Sequence, residues 1–162
     1  MTEKQKVKVN NVIQKFPNEY NELFQEIVEY ITSLGYIPKV NANETYADFI
    51  KNKHGRVIMK IECGYEKPPA IKIPRLNIRL DALPKCTGIF EEAVLHFKKT
   101  FCPKCGKCDG KYGLNYVLSN GGEIYTCRHT IHIPSFNTDT ISEIKQALKI
   151  QDDYLLKNYS NR

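Results

Sequence analysis

The stretch Arg56-Val57-Ile58-Met59-Lys60-Ile61-Glu62-Cys63 decides the fold. Side chains alternate across an extended chain with period two, so Val57, Met59, Ile61 and Cys63 share one face and Lys60 and Glu62 the other. Arg75 to Asp81 repeats the pattern, with Leu76, Ile78 and Leu80 set against Arg75, Asn77, Arg79 and Asp81. Strands that are apolar on one side and charged on the other belong to an antiparallel sheet with one wet face. Thr45 to Lys51 reads as a further strand, joined to the first by the turn Asn52-Lys53-His54-Gly55. On this reading Cys63 is a small core residue, as unpaired cysteines commonly are.

Working outward, the elements on either side are helical. After Pro17, the residues Tyr20, Leu23, Phe24, Ile27, Val28, Ile31 and Leu34 recur at helical spacing, and Gly35 stands where a left-handed cap ends a helix. Residues 1–16 carry Val7, Val9, Val12 and Ile13 among charges and read as a short strand, an ordered arm or a frayed end. Ile71 and Ile73 form a short extended piece ended by Pro74. A second helix spans Gly88 to Thr100 with Ile89, Phe90, Ala93, Val94 and Phe97 on its apolar side; His96 reads as a partly exposed helix histidine. Leu114–Leu118 and Glu123–Ile133 read as two strands joined by the turn Ser119-Asn120-Gly121-Gly122. A last helix, capped by Asn137, Thr138 or Asp139, buries Ile141, Ile144, Leu148 and Leu155, with Asp152 and Asp153 solvated. The order lacks the strand–helix–strand rhythm of a parallel sheet. The fold class is therefore α+β: a three- or four-stranded antiparallel sheet with helices mostly on one face. The expected organisation is one domain over 1–162, in which 101–133 is a Cys-rich loop and hairpin that binds metal.

The composition fits an ordinary globular protein: 162 residues, 41% hydrophobic and 26% charged. No apolar run reaches the ~18 residues of a membrane span, and no apolar segment follows the charged N-terminus, so a cytoplasmic location is expected. A net charge of +6 permits an acidic partner such as nucleic acid. Its lysines are nevertheless scattered among acidic residues rather than gathered in a patch.

The chemistry-bearing motif is Cys102-Pro103-Lys104-Cys105-Gly106-Lys107-Cys108, a CPxCG zinc-knuckle-like run with a third thiol. In a reducing compartment, six clustered cysteines point to metal ligation rather than disulfides. Zinc takes four ligands in a tetrahedron. A C-x-x-C turn supplies two, Cys108 a third, and Cys127, returning on the second hairpin strand, the fourth. The substitutes are His129, which shares the strand parity of Cys127, and Cys86, which lies at the opposite end of the second helix. His132 has the wrong parity. A C-x-x-C-x-x-C run also begins an iron–sulfur motif, whose nearby fourth cysteine followed by proline is absent here.

No P-loop, G-x-G-x-x-G, G-x-S-x-G or H-E-x-x-H pattern is present, and no carboxylate pair is set out for acid–base work. Tyr36, Tyr46, Tyr65, Tyr112, Tyr116 and Tyr125 lie in or near strands and loops. They suggest either a small-molecule pocket on a concave sheet or, with Lys72, Arg75 and Arg79, a single-strand nucleic-acid platform. The segments CPKCGKC (102–108), YTCRHTIHIP (125–134) and ISEIKQALKIQDDYLL (141–156) resemble a cysteine-rich family of low-GC anaerobic bacteria. That resemblance implies a helix–sheet–helix first part, a cysteine-rich loop and a C-terminal helix, in a small binding or regulatory module rather than an enzyme. The expected function is thus a non-catalytic, zinc-stabilised domain that binds a small molecule or protein partner. The alternatives are a nucleic-acid-binding zinc protein and an iron–sulfur or thiol redox protein.

Overall fold

The computed structural model describes residues 1–65, 72–100, 113–127, 130–134 and 136–159. The architecture is α+β. Four helices, α1 (Glu3–Ile13), α2 (Asn21–Ser33), α3 (Gly88–Thr100) and α4 (Ile141–Tyr159), accompany a five-stranded antiparallel sheet and a two-stranded one. The large sheet has the order β1 (Ile37–Val40), β2 (Tyr46–Ile50), β3 (Val57–Tyr65), β4 (Lys72–Arg79), β7 (Thr130–Ile133). The small sheet pairs β5 (Leu114–Val117) with β6 (Glu123–Thr126). No helix among the described residues is long and apolar enough to cross a membrane.

The large sheet buries one face. Ala47, Phe49, Met59, Ile61, Leu76, Ile78, Ile131 and Ile133 are all fully buried there. Helix α1 packs on β1 and β2, α4 packs on β3 and β4, and α2 bridges α1 and α4. Rings close this layer: Phe24 lies 4.5 Å from Phe16 and edge-on to Phe136 at 5.2 Å. Helix α3 sits at the β7 end, against β7 and β6. Cys63 is buried on the helix-covered face, its thiol 3.7 Å from the Lys15 carbonyl, as a packed core thiol.

Four local features differ from the sequence expectation, each for a physical reason. Residues 3–13 form helix α1, because Val9, Val12, Ile13 and Phe16 recur at helical spacing and are buried. A reciprocal Thr2–Gln5 capping box starts that helix. Ile37–Val40 adds an edge strand beside β2. In β3 a bulge opposes Phe49 with Met59 and Ile50 with Val57, leaving Ile58 as the extra residue. The alternation therefore slips: Ile58 is fully buried, and Val57 turns to the charged face. Last, the expected strand from Glu123 to Ile133 is two strands. Its first half, Glu123–Thr126, pairs with β5 and its second, Thr130–Ile133, with β4, so the chain changes sheet between them.

Strand β4 also runs through Pro74. Among the described residues Pro74 pairs with Cys63 on one side, and β7 covers Leu76–Arg79 on the other. A residue without an N–H is tolerated where one side lacks a neighbour.

Candidate functional site

The second face of the large sheet carries the charged residues that the alternation placed there. Asp48, Lys60, Asn77 and His132 lie in one row across β2, β3, β4 and β7. Glu62 pairs with Arg75, and Arg79 with Thr130, in the flanking rows. A pocket of about 510 Å³ opens on this face, lined by Asp48, Lys60, Glu62, Asn77, Arg79 and Cys127 together with Val57 and Thr130. That volume suits a small molecule.

Much of the pocket's charge is satisfied internally. Lys60 Nζ lies 2.5 Å from Glu62 Oε2 and 4.3 Å above the Tyr46 ring. The other oxygen of Glu62 accepts a hydrogen bond from Asn77 Nδ2 at 3.2 Å. Arg79 is only 9% exposed, and its Nε donates to Asp81 Oδ2 at 2.6 Å. Asp48 makes no side-chain hydrogen bond to another described residue. Burial pushes its carboxyl above the usual range, against the pull of Lys60 and with the push of Glu62.

Cys127 stands at the rim of this pocket, where the chain leaves the small sheet for the large one. Cys102, Cys105 and Cys108, with His129, lie outside the described residues. The described residues on either side of the cysteine segment, however, both meet β6 just before Cys127. Helix α3, which leads into it, packs against β6, and Lys98 Nζ reaches the Tyr125 carbonyl at 3.4 Å. Gly113, which follows it, lies so close to β6 that a Cβ would meet the Thr126 carbonyl and the Tyr125 ring. The described residues that flank the cysteine segment thus lie next to Tyr125–Thr126, just before Cys127. Four thiolates suit zinc, a borderline-soft cation. Among the described residues, no group of three or more His, Cys, Asp or Glu is placed to hold a metal.

Cys86 is at the N-terminal side of α3, whose 13 residues span about 20 Å at ~1.5 Å per residue. It is 1% exposed, its Sγ donates to the Leu83 carbonyl at 3.4 Å, and burial and then Glu91 push its thiol up to about 11. These are the features of a protonated, packed thiol. His132 lies on the charged face with its ring 6.2 Å from that of His96, and its imidazole is pushed below the usual value chiefly by burial.

A second polar constellation was hidden in the sequence. Asp152, expected to be solvated, is 4% exposed. It accepts from Lys51 Nζ at 2.8 and 3.0 Å and from the Tyr36 hydroxyl at 2.9 Å. Burial, then Asp152, raises the Tyr36 phenol far above its usual range. His54 Nε2 lies 3.1 Å from the same hydroxyl, while its Nδ1 accepts the Arg56 backbone N–H at 3.0 Å. The signal was in the helix phase: Gln151 and Asp152 fall three and four residues after Leu148 and just before Leu155, inside the buried stripe. Asp153, by contrast, is exposed and paired with Lys149. The Asp152 cluster ties the β2–β3 turn to α4. Removing one partner of such a buried pair costs about 3–5 kcal/mol.

Tyr36 and Tyr116 are 1% and 0% exposed, which removes them from any surface on which bases could stack. Comparison of the chain with family models, with curated proteins and with solved structures finds no significant match.

Proposed function

We propose that this protein is a non-catalytic, zinc-stabilised domain that binds a small molecule on its charged sheet face. In this reading Cys102, Cys105, Cys108 and Cys127 hold the zinc. The observation that carries it is that the residues flanking the cysteine segment, Lys98 and Gly113, both meet Tyr125–Thr126, next to Cys127, which lines the 510 Å³ pocket. Bound zinc would supply a rigid cross-link between the end of α3 and the sheet crossing, and folding energy with it. The mixed charge around the pocket, with Lys60 and Arg79 answered by Asp48, Glu62 and Asp81, supports a small molecule over a polyanion such as nucleic acid.

Paired substitutions test the ligand set. Cys127→Ser is expected to release the metal and lower the melting temperature. Cys86→Ser is expected to retain the metal whatever it does to stability, because that thiol is packed away at the opposite end of α3. Full metal content in Cys127→Ser, or loss of metal in Cys86→Ser, would refute the assignment.

A further inference from the structure

The binding face has a charge pattern more specific than its composition. Lys60, Glu62 and Asn77 satisfy one another across β3 and β4. After those pairs are drawn, two pocket-lining groups keep unused hydrogen-bonding capacity toward the described residues. One is the Asp48 carboxylate, half-buried on β2. The other is the Arg79 guanidinium, which bonds Asp81 through Nε alone. A guanidinium has five N–H donors in a planar fork, and the edge away from Nε can engage a carboxylate. Donor edges and a carboxylate that line a pocket with no partner among the described residues are free to bond a ligand there.

Their placement gives the ligand a length and a polarity. Asp48 and Arg79 are two strands apart and two residues out of register. At ~4.8 Å per strand and ~3.3 Å per residue, their Cα atoms are about 12 Å apart. Both side chains reach inward from the same face, so the gap to be spanned is that of a small bifunctional molecule. Its cationic end meets Asp48 and its anionic end meets Arg79. Val57, turned onto this face by the bulge, adds an apolar side chain to the pocket lining for the ligand's carbons.

We propose that the pocket is selective for small zwitterions of amino-acid to dipeptide size, with a protonated amine at Asp48 and a carboxylate at Arg79. This rests on the reading of the charged face as a small-molecule site. It adds that both charges on one molecule are required.

Calorimetric titration of the full chain with three probes of equal carbon length tests it: 6-aminohexanoate, hexanoate and hexylamine. The expected result is binding of 6-aminohexanoate at least tenfold tighter than either singly charged probe. Asp48→Asn, a near-isosteric change at a group with no hydrogen bond to another described residue, is expected to erase the preference over hexanoate. Arg79→Gln, which removes the cation, is expected to erase the preference over hexylamine; its fold is checked by its melting curve, because Arg79 is paired with Asp81. If hexanoate binds as tightly as 6-aminohexanoate, and Asp48→Asn changes neither, the zwitterion inference fails while the small-molecule reading stands. If none of the three probes binds, both fail.

Discussion

At the scale of single residues, burial decides which polar groups matter. The sequence presents Asp152 and Asp153 as twins, yet one is locked between Lys51 and Tyr36 and the other is paired on the surface with Lys149. His54 completes the buried group and makes it sensitive to acid. Its Nδ1 accepts a backbone N–H, so the neutral ring carries its proton on Nε2, toward Tyr36. A charged ring would set a second N–H against that of Arg56. Its pKa accordingly lies below the usual imidazole value. Burial is the largest cause; Lys51, Arg56 and Arg79 also depress it, and Asp152 opposes them. Because the folded pKa is depressed, the unfolded chain binds the proton first. The stabilising contribution is complete above the unfolded value of ~6.5 and is lost as pH falls through the folded pKa. His132 is shifted the same way and contributes its own loss. The prediction is therefore differential. Urea midpoints measured from about pH 7 to about pH 5 should fall less steeply for His54→Gln than for the wild type. Parallel curves would show that His54 does not titrate with folding.

At the scale of elements, alternation and helical spacing carried most of the fold. The α2 stripe with its Gly35 cap (φ +89°), strands β2 to β4, helix α3 and the α4 stripe were all legible in the sequence. What was not legible depends on partners distant in sequence. The β3 bulge exists because Phe49 and Ile50 must both register with β3, which no local pattern reveals. The division of residues 123–133 between two sheets is likewise set by β4 and β5, since an unbroken run of strand formers reads as one strand. That division puts Cys127 at a crossing rather than within a strand. Gly113 lies against Tyr125 and Thr126 of β6, an approach that only its lack of a side chain permits. Gly113→Ala is expected to push the chain off β6, destabilise the protein by roughly 1–3 kcal/mol, and weaken metal retention against a chelator. Wild-type stability and metal retention in this variant would mean that the close approach is dispensable.

At the scale of the whole molecule, one sheet divides two tasks. The helix-covered face holds the apolar core. The other is charged, holds the pocket, and ends at the cysteine rim. The cysteine spacing alone named the candidate ligands, and the described residues add that Gly113, five residues after Cys108, lies against Tyr125–Thr126. The spacing could not locate the pocket, because Asp48, Lys60, Asn77 and Arg79 come from three strands and meet only through register.

The most direct test of the account is elemental analysis of protein purified without oxygen or affinity nickel, with an absorbance spectrum of the same sample. One equivalent of zinc and a colourless solution is the predicted result. Iron with sulfide and a brown colour, or a metal-free protein with all six thiols titratable, would contradict it.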